Sequence, residues 1–474
     1  MNQELVQYLQ QQIRTTDERL KRFTHTLDGK PHPRRFLYSE IEKYLNDFIS
    51  KKNDTRMVVI PGFRGVGKTT LMAQICAAFK PKVPNLIFLS VEDARNLFGV
   101  GIVELMAAYE SILGQDLESI QEPTLVFLDE IQSDPKWAAT LKSLFEKTTN
   151  VFFGCTGSSA VVLQTTTDLA RRAIFEKLPP LSFTEYEMIR NQVFPLSGLK
   201  ESIKQAVYFS PSAQEAHTAL IALQPKVNQY WTQVRRDDIR EYLSCGTLPF
   251  ALAIPHGSAV YDSISMLLDK IIKLDLPTLG NFDKATLDAV KRILFIMAEN
   301  DATSLQQLEK LSGVNRLTIA SVFESLEKAE LLIRIPAYGS NMSVARKPVK
   351  YLFVSPAIRM SFFYITGQEQ TYHTREGKLL EDSIGSHLYR EFILKGQGAI
   401  RYDSAQGGAD FILQIMNSKQ LIIEVGIGAK DKRQILHTMK RISSDYNLIF
   451  STTEVFVDTE TNIVSVPLDF YFLM

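Results

Sequence analysis

Cysteine is scarce: Cys76, Cys155 and Cys245 are the only three in 474 residues, and they form no CxxC pair. Neither a disulfide scaffold nor a zinc ribbon is therefore expected, and a reducing compartment fits. The seven histidines are scattered, none standing beside another at metal-ligand spacing. Net charge is absent, with 53 basic residues against 53 acidic ones. A surface that coats DNA along its whole length would be basic, so any nucleic-acid contact has to come from a local patch. No apolar run approaches the ~20 residues of a membrane span. The polar, Gln-rich start of the chain holds no apolar segment of signal-peptide length. A cytoplasmic protein with no membrane partner is expected. Long repeats and low-complexity segments are missing as well.

What is present is an ordinary globular composition. Hydrophobic residues at 45% and charged residues at 22% exclude a disordered chain. At roughly 150 residues per domain, this length supports about three cores. Residues 1–50 read as helices interrupted at 27–35, where Gly29, Pro31 and Pro33 make a loop. The 37–49 segment has apolar residues near helical spacing. Short apolar runs then follow at 57–60, 86–89, 125–128 and 151–153, with an apolar helix at 71–79. Short buried strands alternating with helices predict a parallel α/β sheet. Residues 190–275 read as mostly helical, with breaks at Pro211, Pro225 and Gly246.

Gly62-Phe63-Arg64-Gly65-Val66-Gly67-Lys68-Thr69 fits GxxxxGKT, after a strand-like run and at the start of a helix. Glycines let backbone N–H groups turn inward around phosphate oxygens, and the helix N-terminus adds its positive dipole end. Gly62, Gly65, Gly67, Lys68, Thr69 and Thr70 are the expected nucleotide-binding residues. Lys68 would reach the β and γ phosphates, and the Thr69 hydroxyl would bind Mg²⁺. The 125–128 run ends in Asp129 and Glu130. Asp129 is expected to hold the Mg²⁺ shell, and Glu130 to polarise a water against the γ-phosphate. This acid pair favours hydrolysis over transfer to a small substrate. No NKxD-type guanine motif occurs, so ATP is expected rather than GTP. The 151–153 run leads into Cys155-Thr156-Gly157-Ser158-Ser159, where Thr156 or Ser158 could bond the attacking water. Arg171 and Arg172 follow, able to neutralise developing phosphate charge or to serve as a solvated pair.

In order, FRGVGKTTL, LVFLDEIQ, CTGSS, the arginine pair and LPPLSFTEY resemble the archaeal-type ATPases of the AAA superclass. These are related to the larger AAA/STAND grouping and often carry a winged helix and a nuclease-like C-terminal domain. EYLSCGTLP, residues 241–249, resembles their lid region. The resemblance covers residues 35–275 well and the rest more weakly. It implies Ser158 as the polar sensor and Arg172 as the arginine near the γ-phosphate. Ala170 and Ala173 flank the arginine pair and depart from the usual pattern, which leaves the choice between Arg171 and Arg172 open.

Residues 285–298, 303–311 and 316–329 read as three helices, and 331–335 with 351–354 as two strands. The order resembles a winged helix-turn-helix, whose third helix enters a major groove. Arg316 leads that helix, and Arg346, Lys347 and Lys350 stand at the wing as candidate phosphate contacts. Glu324, Glu327 and Glu330 on the same helix and its end would repel phosphate. In the last hundred residues, Glu381 on a helix, Asp410 opening a strand and Glu424 in the next resemble a PD-(D/E)xK nuclease core. Asp410 and Glu424 would hold a metal there. Gly426 stands where that core has its lysine, and Lys430 or Lys432 would have to reach back. A degenerate version of the core is expected.

The expected fold class is α/β. A P-loop NTPase parallel sheet with a helical lid precedes a winged helix and a C-terminal α/β nuclease-like domain. The expected boundaries are 1–50 for N-terminal helices, 51–190 for the ATPase core and 191–279 for the lid. The winged helix would take 280–368 and the nuclease-like domain 369–474. The expected function is ATP binding and hydrolysis with Mg²⁺, coupled to DNA. Two alternatives stand beside it: a STAND-like signalling switch with protein partners, and an ATP-regulated DNA nuclease. A homo-oligomer is open in all three.

Overall fold

The computed structural model describes residues 3–158, 167–254, 257–299, 305–339, 347–365, 372–416, 419–428 and 432–474. The chain divides into two compact units, Met1–Pro179 and Pro180–Met474.

The first unit is built on helices α1 (Gln3–Arg14), α2 (Thr16–Thr24) and α3 (Leu37–Ile49), then strand β1 (Met57–Pro61) and helix α4 (Lys68–Phe79). Strand β2 (Asn85–Ser90), helices α5 (Val91–Phe98) and α6 (Ile102–Leu113), and strand β3 (Thr124–Asp129) come next. Helix α7 (Trp137–Lys147), strand β4 (Val151–Gly157) and strand β5 (Ile174–Phe175) complete it. The sheet order is β2-β3-β4-β1-β5, and every pairing is parallel. Each of the four apolar runs is a strand. Such runs suit a sheet covered on both faces, where alternation is unnecessary. The two-residue β5 is too short to leave a pattern in the sequence. Gly154 in β4 has a packing reason: a Cβ there would come within 2.4 Å of the Phe127 ring on β3.

Residues 1–50 do not stand apart from this unit. Leu5 and Leu9 of α1 are buried in the same cluster as Met57, Val126 and Phe153 of the sheet. Burying each leucine stabilises by ~1.5–3 kcal/mol. A lone helix of 12 residues would be marginal in water, so packing is what holds it. Among the described residues no single helix is long and apolar enough to cross a membrane. The bent pair α5–α6 passes that test together, but Ile102, Leu105 and Met106 are core residues of this unit.

The second unit joins helices to a mixed sheet. Its helices Leu199–Lys204, Ala213–Trp231 and Ser258–Lys270 lie in the region expected to be helical, and Phe183–Asn191 comes just before it. The helix Ala213–Trp231 runs through Pro225, where a break was expected. Proline forfeits one backbone bond, and the buried Leu220 and Val227 on either side anchor both halves. Three further helices, Lys284–Glu299, Leu305–Ser312 and Arg316–Lys328, precede an antiparallel pair, β6 (Leu332–Ile335) and β7 (Lys350–Phe353). The last sheet has the order β12-β13-β11-β10-β9-β8. It comprises β8 (Gly398–Arg401), β9 (Phe411–Ile415), β10 (Lys419–Val425), β11 (Tyr446–Ser451), β12 (Phe456–Asp458) and β13 (Ile463–Pro467). β10, β11 and β13 are parallel neighbours, and the outer pairings are antiparallel.

These elements share one core. Phe183 packs on Trp231 at 5.5 Å and on Phe472 at 5.1 Å between ring centroids. Such aromatic pairs add roughly 0.5–1.5 kcal/mol beyond their area. The Trp231 indole N–H donates to the Asp469 carbonyl at 3.1 Å. The Tyr446 hydroxyl donates to the Val207 carbonyl at 2.6 Å. A buried ion pair sits deeper: Arg359 Nη2 and Nε reach Asp382 at 2.9 and 2.5 Å. Arg359 also donates to the Ala298 carbonyl at 2.9 Å, and Asp382 accepts from the Phe353 N–H at 3.0 Å.

Candidate functional site

At the C-terminal end of the parallel sheet, β1 leaves Pro61 into the glycine loop, and α4 begins at Lys68. Gly65 and Gly67 take φ of 81° and 91°, a region that residues with a Cβ avoid. A Cβ on Gly62 would come within 2.5 Å of the Leu178 carbonyl oxygen. These three glycines therefore have a backbone reason for being glycine. Lys68 is buried, and its Nζ donates to the Gly62 and Phe63 carbonyls at 2.9 and 3.3 Å. Thr70, half-buried, follows Thr69 on α4.

Parallel pairing puts the ends of β3 and β4 beside this loop. Thr69 Oγ1 donates to Asp129 Oδ2 at 2.8 Å. Thr156 Oγ1, at the end of β4, donates to Asp129 Oδ1. The Glu130 N–H donates back to Thr156 Oγ1 at 3.2 Å. Burial raises the Asp129 carboxyl above its ordinary range, and the neighbouring Glu130 raises it further. The hydroxyls of Thr156 and Thr69 and the Lys68 ammonium act in the opposite sense. Thr69 and Asp129 thus bring together hard oxygen donors of the kind Mg²⁺ takes.

Two residues to which the sequence reading gave no role complete the site. Arg35 is buried, and its Nη1 donates to the Val66 carbonyl inside the glycine loop and to the Pro179 carbonyl, both at 2.9 Å. An arginine beside two prolines in an unpatterned loop gives no periodic signal. Gln132 lies two residues past Glu130, and its side chain reaches Glu130. Of the two hydroxyls considered for β4, Thr156 meets the Asp129 carboxylate. Ser158 donates its N–H to Gln132 Oε1 at 3.2 Å. Arg172 pairs with Glu146 of α7 at 2.5 Å, while Arg171 is exposed. Ser159 lies outside the described residues.

In the second unit the expected wing contacts come apart. Arg346 and Lys430 lie outside the described residues. Arg316 pairs with Glu309 at 2.5 Å, and Lys347 donates to the Tyr338 carbonyl at 2.9 Å. Lys350 is not a surface cation. Its side chain is only 10% exposed, contacts Glu381 and stands 3.6 Å from Asp410 Oδ1. Burial alone would lower the Lys350 ammonium, but Glu381, Asp410 and Glu424 raise it above its ordinary value.

Asp410 and Glu424 do converge. The Asp410 N–H donates to Glu424 Oε2 at 3.4 Å, and the Val425 N–H donates to Asp410 Oδ2 at 3.0 Å. The lysine beside them comes from β7, which is distant in sequence. Lys432 is held by Asp458 at 2.7 Å. Among the described residues no group of three or more His, Cys, Asp or Glu side chains is placed to hold a metal. The two carboxylates expected to hold a metal thus stand together, with the Lys350 ammonium beside them. One consequence is testable. Lys350→Ala is expected to lower the thermal midpoint of the full chain, because it strips the cation from three carboxylates. It should leave the salt slope of any duplex-DNA binding unchanged. A slope reduced by about 1 would return Lys350 to a phosphate contact.

Residues 54–187 match the family model of an AAA domain, and residues 236–369 match a domain of unknown function, DUF8612. The uncharacterized protein MJ1637 of Methanocaldococcus jannaschii is 31% identical over 441 residues, spanning 92% of this chain and 88% of that protein. The chain belongs to the family of MJ1637. Its first unit carries an ATP-binding domain of the AAA type. Among solved structures, the Holliday junction branch migration motor RuvB of Thermotoga maritima is 19% identical, with a TM-score of 0.30. That alignment covers 67% of this chain and 93% of the other. AMPPCP-bound DnaA from Aquifex aeolicus is 14% identical over 62% of this chain and 88% of its own, with a TM-score of 0.27. Superpositions that loose say nothing of what this member of the MJ1637 family does.

Proposed function

We propose that the protein is a Mg²⁺-dependent ATPase whose nucleotide state governs a DNA-binding segment and a degenerate nuclease-like domain. The observation that carries the ATPase is the contact of Thr69 with Asp129 at 2.8 Å, made between the glycine-loop helix and the end of β3. Lys68 grips phosphate, Thr69 and Asp129 hold the cation, and Glu130 accepts a proton from the attacking water. Mg²⁺, when bound, neutralises charge that develops on the phosphate oxygens. The arginine that completes the site is Arg171 or Arg172, acting within the chain or from a neighbouring copy. Cytoplasmic residence is in keeping with three buried free cysteines.

For the segment 280–368, three helices followed by an antiparallel pair support a winged helix. DNA would be its target, and the test is an ATPase assay with and without duplex, alongside a salt titration of binding. A second reading, a signalling switch with a protein partner, is favoured by the exposed face of the helix Arg316–Lys328. Leu317 there is 85% exposed, Arg316 is held by Glu309, and Glu324 is held by Lys328. Salt-independent failure to bind duplex would favour this reading.

For the segment 369–474, Lys350 among Glu381, Asp410 and Glu424 supports a structural role. A resident ammonium already compensates the carboxylates that would otherwise call for a divalent ion. The purified chain is expected not to cut linear duplex DNA with Mg²⁺ or Mn²⁺, with or without ATP. Cutting on a gel that disappears in an Asp410→Ala/Glu424→Ala control would make the domain a working nuclease.

A further inference from the structure

Glu130 adopts φ 56° and ψ 49°, left-handed backbone that a residue with a Cβ adopts at roughly 1–2 kcal/mol. That turn lifts its side chain out of the line of β3. Its backbone is fixed by the N–H bond to Thr156 and by its carbonyl, which accepts from the Ser133 N–H at 3.0 Å. The carboxylate needs a separate restraint, because glutamate has three rotatable bonds beyond the backbone. Gln132 Nε2 donates to Glu130 Oε2. Gln132 Oε1 accepts from the Ser158 N–H at 3.2 Å. A backbone N–H can only donate, so the amide orientation is set by this network and Nε2 must face the carboxylate. A glutamine serves both partners at once: a carboxylate in its place would repel Glu130, and an alkyl chain would bond to neither.

We propose that Gln132 is the positioning residue for Glu130. It holds one carboxylate oxygen, leaves Oε1 for the attacking water, and ties the base to the backbone at the end of β4. The inference rests on the reading of Glu130 as the general base and names what aims it. It also gives the Ser158 position a role through its backbone N–H.

The test uses the full chain and four proteins: the parent, Gln132→Met, Glu130→Gln, and the double variant. Methionine keeps the length of the side chain and removes both hydrogen bonds. Gln132→Met is expected to lower kcat for ATP by about 10²-fold, the loss typical of a misplaced reacting group. KM for ATP and affinity for a non-hydrolysable analogue should stay at the parent values. In single turnover with labelled ATP, the double variant should be no slower than Glu130→Gln alone, because Gln132 acts only through that carboxylate. A merely structural glutamine would lower rates multiplicatively in both backgrounds or weaken nucleotide binding, and either result overturns the proposal. Gln132→Met at the parent rate, with Glu130→Gln inactive, sinks this inference alone. Parent-rate hydrolysis by Glu130→Gln sinks both this inference and the base assignment.

Discussion

Lys68→Ala is expected to abolish nucleotide binding, while Glu130→Gln retains the nucleotide and loses its hydrolysis. The two residues divide the work. Lys68 is a buried ammonium that donates to the Gly62 and Phe63 carbonyls of the loop at 2.9 and 3.3 Å. In the proposed site its charge would meet a phosphate at the point where the loop backbone converges. Alanine there removes both that charge and the loop contacts. Glu130 touches no part of the glycine loop through the bonds described, being tied to Thr156 and Gln132. Glutamine keeps its shape and removes its basicity. Losing a positioned base lowers a rate by ~10²–10⁴-fold. Titration with a fluorescent ATP analogue and a phosphate-release assay read the two effects separately. Glu130→Gln turning over at the parent rate would move the base elsewhere. Lys68→Ala binding as the parent does would remove the glycine loop from the nucleotide site.

The second large effect is on stability. Asp382→Ala is expected to destabilise the fold by ~3–5 kcal/mol, because it strands Arg359 in a dry core. The two side chains are 0% and 5% exposed. The pair joins the helices Pro356–Ile365 and Tyr372–Leu388, β7 and the end of Lys284–Glu299. Replacing both partners at once, Arg359→Met with Asp382→Leu, should recover most of the loss, since an apolar pair avoids burying charge. Chemical denaturation of the full chain, followed by circular dichroism, reads both. A single variant as stable as the parent would mean that Arg359 finds another carboxylate or reaches water.

The parallel sheet was legible because its strands are apolar throughout, a pattern that only a twice-covered strand tolerates. The glycine loop was legible because phosphate binding demands backbone conformations and a lysine at fixed spacing. The three helices and the strand pair at 280–368 were legible for a related reason: their periodicity is local, and Gly313 and Asn315 punctuate it. Asp129 and Glu130 could be read because a run of apolar residues must end where carboxylates appear.

What the sequence determined by itself, then, were features set by neighbours along the chain: the four apolar strands, the three helices of 280–368, the glycine turn and the acids at the end of β3. Tertiary structure decided the features made by partners far apart. Lys350 looked like a wing cation until β7 brought it to Glu381 and Asp410. Arg35 looked like loop until it met Val66 and Pro179. Gln132 followed two motif acids without any spacing rule of its own, and the left-handed turn at Glu130 gave it a carboxylate to hold. The physical reason is that periodicity records which face of an element is buried. A long polar side chain, by contrast, takes its role from whichever group the fold sets within ~3 Å of its tip, and no local pattern carries that distance.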